Sequence, residues 1–165
     1  MPGSGKSTFG KVLAGRLSYP FVDLDDLIEN NQGQLIREIF REKGETFFRE
    51  VEAHTLRTAT TAENNFVMAC GGGTPCFHDN MDFINQNGVS IYLKVPESLL
   101  VQRLSQTSET DVRPLVQTNQ HSVASFVSEL LDKRKDFYER AHFRLEETTD
   151  YEQLIEQLIT PQTDE

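Results

Sequence analysis

Short apolar runs alternate along the chain with longer stretches in which apolar residues recur every three or four positions. Tyr19-Pro20-Phe21-Val22-Asp23-Leu24-Asp25 is an apolar run that ends in acids, which predicts a strand with a polar carboxyl end. Asn65-Phe66-Val67-Met68-Ala69-Cys70 and Val89-Ser90-Ile91-Tyr92-Leu93-Lys94-Val95 predict two further strands, and Phe143-Arg144-Leu145-Glu146 a short last one. Helical spacing appears over Phe9 to Leu17 (Val12, Leu13, Leu17), Ile36 to Lys43 (Ile36, Ile39, Phe40) and Glu45 to Thr60 (Phe48, Val51, Leu56), with Gly44 as a stop between the last two. Helices are also predicted at Asp79 to Gln86, Glu97 to Leu104, Val123 to Arg140 and Tyr151 to Ile159. Strands that alternate with helices make βαβ units, so the fold class is α/β with a parallel sheet in one domain spanning 1–165. Ligands then bind at the carboxyl ends of the strands.

The first residues carry the strongest chemical signal. Gly3-Ser4-Gly5-Lys6-Ser7-Thr8 matches the end of a phosphate-binding loop, G-x-x-x-x-G-K-[ST], which opens a helix. Helix N-termini offer unpaired N–H groups and a positive dipole end, and glycines let the backbone wrap an anion. Lys6 would reach the β- and γ-phosphates, and the Ser7 hydroxyl would hold Mg²⁺. Counting back from Gly5, the first glycine of the loop falls one residue before Met1, and the strand that should lead into the loop falls further upstream.

Composition narrows the partners. Lys and Arg number 16 against 26 Asp and Glu, a net charge of −10, which argues against nucleic acid held by general electrostatics. A small anion needs only a few focused cations, so it stays open. The 165 residues contain two cysteines, Cys70 and Cys76, expected as reduced thiols of a cytoplasmic protein, with no four-ligand zinc pattern. No apolar run reaches the roughly 18–20 residues of a membrane span.

Further polar signals fall at the same sheet edge. Asp23 and Asp25 close the first predicted strand; one acid suits the hydration shell of Mg²⁺ and the other a substrate hydroxyl, while Asp25 or Asp26 could instead cap a following helix. Arg49, among aromatics and one turn before Glu52, could bind a carboxylate or belong to a solvated helix face. Gly71-Gly72-Gly73 after a buried strand points to close backbone approach to a ligand. Ser105 to Gln120 is polar and aperiodic, and it contains Arg113-Pro114, as a water-excluding lid would.

In order along the chain, GSGKST, FVDLD, IREIFREKGETFFREVE, ACGGG, the RP dipeptide and DKRKDFYERA closely resemble the shikimate kinase family. The resemblance implies a three-layer P-loop fold of the nucleoside-monophosphate-kinase type, with a five-stranded parallel sheet in order 2-3-1-4-5. Strand 1 would be central, and it is expected to be absent from this chain, which implies roughly 8–10 further residues upstream. The implied activity is transfer of the ATP γ-phosphate to the 3-hydroxyl of shikimate, on the route to chorismate and aromatic amino acids, by a cytoplasmic monomer. In that reading Gly3, Ser4, Gly5, Lys6, Ser7 and Thr8 hold ATP, with Arg103 packing on adenine and Arg113 as the lid arginine. Ser7 and Asp23 serve Mg²⁺. Asp25 holds shikimate hydroxyls and is the candidate base. Arg49 and Arg134 clamp the carboxylate, and Gly71, Gly72 and Gly73 line the pocket. Lys6, Asp25 and Arg113 are the implied catalytic residues. The residues themselves also admit a gluconate-type P-loop kinase or an inactive nucleotide-binding module.

Overall fold

The computed structural model describes residues 1–62, 65–106, 122–146 and 155–156. Helix α1, Lys6–Leu17, starts from Gly5 in the left-handed region and stops at Ser18, whose N–H bonds the carbonyls of Ala14 and Gly15. Gly10, Leu13 and Ala14 form its buried stripe. Val12, expected on that side, is 55 % exposed, because a stripe at 10, 13 and 14 turns position 12 outward.

Strand β1, Phe21–Asp23, passes straight into helix α2, Leu24–Gln32. The Asp23 carboxylate caps that helix by accepting from the Asp25 N–H at 3.1 Å. The capping role expected of Asp25 or Asp26 therefore falls to Asp23, since the strand ends sooner than its apolar run and the helix begins at Leu24. Starting there lets Leu24 and Ile28, four residues apart, bury completely. Helix α3, Ile36–Ala62, joins both helices predicted around Gly44. Gly44 bends it at φ 81°, ψ 174°, a conformation open essentially to glycine alone.

Strand β2, Val67–Ala69, pairs in parallel with β1 in the register Phe21 to Val67 and Asp23 to Ala69. A 3₁₀ turn, Thr74–Cys76, and helix α4, Asn80–Asn87, follow. Strand β3, Ile91–Leu93, pairs in parallel with β4, Phe143–Leu145. Between those two strands come α5, Glu97–Gln106, and α6, Val123–Tyr138, whose first turn is capped by Ser122 Oγ accepting from the Ser125 N–H. The two strand pairs match the outer pairs of the order 2-3-1-4-5. Among the described residues no strand joins β2 to β3. A cavity of about 700 Å³ lies between the pairs, lined by Leu13, Met68, Ile91 and Leu93 among others.

Two apolar clusters hold the molecule. Leu24, Ile28, Ile39, Phe48 and Leu56 pack α2 against α3. Met1, Leu100, Val127 and Tyr138 pack α5 against α6. Among the described residues no helix is long and apolar enough to cross a membrane. Of the predicted closing helix only 155–156 are described, and they are helical. Residues 107–121, most of the predicted lid and with it Arg113, lie outside the described residues.

Candidate active site

The phosphate loop is built on the Met1 carbonyl. That oxygen accepts from Ser4 Oγ at 2.8 Å and Lys6 Nζ at 3.0 Å. Gly3 and Gly5 take φ of 73° and 85°, and Gly5 leaves the α1 terminus without a side-chain cap. The first N–H groups of α1 are thus available to an anion. Ser7 and Thr8 are exposed on the first turn of α1. Ser7 Oγ donates to Asp23 Oδ2 at 2.9 Å, which brings the hydroxyl and the strand-end carboxylate together. Arg103 Nη1 on α5 donates to the Gly3 carbonyl at 2.9 Å, so this side chain touches the phosphate loop itself.

Three consecutive glycines form the floor on the other side, and each faces a different charged group. A Cβ on Gly71 would stand 3.1 Å from Glu52 Oε1 and 3.2 Å from Asp25 Oδ1. One on Gly72 would stand 3.1 Å from Arg134 Nη1. One on Gly73 would overlap the Arg49 guanidinium at 2.6–2.9 Å. At Gly73 a Cβ would force the guanidinium to shift, while at Gly71 and Gly72 the charged groups would have to give by a few tenths of an ångström. The structure thus gathers Asp25 from α2, Arg49 from α3 and Arg134 from α6 around Gly71, Gly72 and Gly73.

Arg49 and Arg134 differ in company. Arg49 is 5 % exposed and sits on an i,i+3 pair with Glu52, Nη1 to Oε2 at 2.8 Å. Its Nε and Nη2 both donate to Glu45 Oε1, at 3.2 and 3.0 Å. Its Cζ lies over the rings of Phe48 and Phe77 at 5.1 and 4.4 Å from their centroids. Glu52 is also gripped by Thr74 Oγ1 at 2.6 Å. Thr74 is in turn tied through its carbonyl to Asn80 and through Asn80 to Arg57. Arg134 is 9 % exposed, and no described carboxylate forms an ion pair with it. A buried guanidinium without a counter-ion favours binding an anion.

Sequence reasoning missed three of these parts. Tyr138 donates its hydroxyl to the Gly72 carbonyl at 2.6 Å, and burial pushes its pKa up to about 12, so it remains a donor. Its place one turn after Arg134 was the available signal. Glu45 is a turn before Arg49 on the same helix, at a spacing that pairs opposite charges. Phe77 left no local signal, since its contact with Arg49 spans 28 residues and depends on the turn after the glycines.

The family model described as shikimate kinase matches residues 2–161. A shikimate kinase of Bacteroides thetaiotaomicron is 39 % identical over 142 residues, covering 86 % of this chain and 79 % of the relative. One of Clostridium botulinum is 38 % identical over 155 residues, covering 94 % and 88 %. Among solved structures, shikimate kinase from Acinetobacter baumannii in complex with shikimate superposes with a TM-score of 0.81 at 34 % identity, covering 94 % of this chain and 85 % of that one. A family match over nearly the whole chain, with relatives well above 30 % identity, means that this chain belongs to the shikimate kinase family.

Proposed function

We propose that this chain transfers the γ-phosphoryl group of ATP to the 3-hydroxyl of shikimate. The observation that carries the reading is the pair of buried guanidinium groups, Arg49 and Arg134, set against adjacent glycines beside a phosphate loop. Two cations set against adjacent glycines suit the carboxylate of the acceptor. Its ring would lie along Gly71, Gly72 and Gly73, with hydroxyls toward Asp25. Asp25 takes the proton of the attacking hydroxyl as the new O–P bond forms and the bond from the γ-phosphorus to the ADP oxygen breaks. Lys6 and the first amides of α1 hold the phosphates, and Arg113 adds positive charge from the lid.

The Ser7 hydroxyl and the Asp23 carboxylate, 2.9 Å apart, are hard oxygen donors that fit Mg²⁺. Two protein oxygens suit an ion held mainly through the nucleotide phosphates and water. Bound there, Mg²⁺ would offset negative charge on the phosphates. The free thiols of Cys70 and Cys76 support a reducing compartment, the cytoplasm.

The test is ADP release with Mg²⁺ and ATP, run with shikimate, gluconate and a nucleoside monophosphate in parallel. Turnover is expected with shikimate only. Equal turnover with either of the others would overturn the assignment.

A further inference from the structure

We infer that Glu45 is a placeholder for the acceptor's carboxylate. It holds the Arg49 fork until a carboxylate-bearing acceptor displaces it, which makes it a positioning residue. The inference rests on the clamp reading above. Glu45 Oε1 alone accepts from both Nε and Nη2 of Arg49, so it occupies the edge of the guanidinium on which a carboxylate could dock with two oxygens. The rest of the guanidinium is already engaged: Glu52 takes Nη1, Gly73 lies beside it with no room for a Cβ, and Cζ lies over two aromatic rings. Two glutamates already share this one guanidinium, so a carboxylate that reaches it beside Arg134 competes with both of them. One glutamate must therefore yield.

Burial decides which. The Glu52 side chain is 1 % exposed and also bonded to Thr74, whereas the Glu45 side chain is 48 % exposed. Glu45 can swing into water at little desolvation cost; Glu52 cannot. Its attachment suits such motion, since it directly follows the bend at Gly44. Arg134, with no described acid paired to it, offers the first docking point for the incoming carboxylate, and Arg49 becomes the second as Glu45 leaves.

The experiment is titration calorimetry of shikimate and of its methyl ester, which lacks the charge, against the parent, Glu45→Gln, Glu45→Ala and Arg134→Ala. Both Glu45 variants are expected to bind shikimate about two- to tenfold more tightly than the parent, the range of a partly exposed ion pair. They should bind the ester like the parent. Without ligand their melting temperature should fall below the parent's, and saturating shikimate should close that gap. Equal or weaker shikimate binding by both Glu45 variants would overturn the placeholder role, because Glu45 would then support Arg49 or do nothing. If Arg134→Ala bound shikimate like the parent, the clamp reading itself would fail, whatever the Glu45 variants did.

Discussion

Arg49 and Arg134 carry the same charge in opposite surroundings, and this asymmetry sets what each substitution does. Arg49 is paired twice, so Arg49→Ala removes a ligand contact and also leaves the buried Glu52 without its cation. Arg134 has no paired acid among the described residues, so Arg134→Ala removes a binding contact and relieves a buried charge. Losing one charged partner of a desolvated pair typically costs about 2–5 kcal/mol of binding. Both variants should therefore raise the Kd for shikimate about thirtyfold or more while leaving ATP affinity near the parent's. They should differ in stability, with Arg49→Ala melting lower and Arg134→Ala as high as the parent or higher; calorimetry with thermal melts reads both. The cysteines give a separate pH test. Burial beside Glu52 and Asp25 pushes the Cys70 thiol up to about 12, and burial also raises Cys76. A raised thiol pKa means that the reactive thiolate is scarce at any pH below it. Both cysteines are half-buried, so at pH 8 a thiol reagent should label neither quickly in the folded protein and both in denaturant; rapid labelling of Cys70 when folded would contradict the raised pKa.

At the level of elements, Gly44 and Gly73 serve different ends. Gly44 sets the bend of α3 at a backbone conformation that other residues adopt only with strain of about 1–3 kcal/mol. Gly44→Ala should lower the melting temperature by several degrees and leave the residual shikimate affinity nearly unchanged in the folded fraction. Gly73→Ala places a methyl group within 2.9 Å of the Arg49 guanidinium, so it should weaken shikimate binding strongly while ATP binding persists. Melting curves and titrations on the two variants separate these effects; a reversed pattern would mean that the glycines have been assigned the wrong roles. The break at Gly44 was legible as a stop between two helices, because a lone glycine interrupts the apolar period; that the two join across a bend was not. The glycine run was legible because it follows a buried strand. Helix α2 was legible only as the helix that Asp25 or Asp26 could cap, since Leu24–Gln32 is mostly polar and shows only Leu24, Leu27 and Ile28 as markers. The partners of Arg49 were half legible: Glu52 and Glu45 are a turn away on the same helix, but Thr74 and Phe77 meet it only through the tertiary fold.

Across the whole molecule, the site is the bridge between two halves. One is built on α2 and α3, the other on α5 and α6, and the strand pairs beside them flank an apolar cavity. Polar ties cross between them: Tyr138 to the Gly72 carbonyl, Arg140 to Asp82, and the Asn85 amide to the Arg140 carbonyl. A ligand held by Arg49 on α3 and Arg134 on α6 would add a further tie. The chain carries a net charge of −10, so two anionic substrates depend on cations focused inside the pocket. Ligand binding should therefore stabilise the whole molecule and not one half. At a shikimate concentration one hundred times its Kd, linkage contributes about 2.7 kcal/mol. For a domain of this size that corresponds to a rise of about 5–10 °C in melting temperature. Amide exchange should slow in both α3 and α6 on adding shikimate, because a tie between the halves protects each. Arg134→Ala should lose the rise caused by shikimate and keep the one caused by ATP with Mg²⁺, since Lys6 and the loop are untouched. Protection confined to α3, or a full shikimate rise in Arg134→Ala, would mean that the acceptor binds one half alone and that α6 is scaffold.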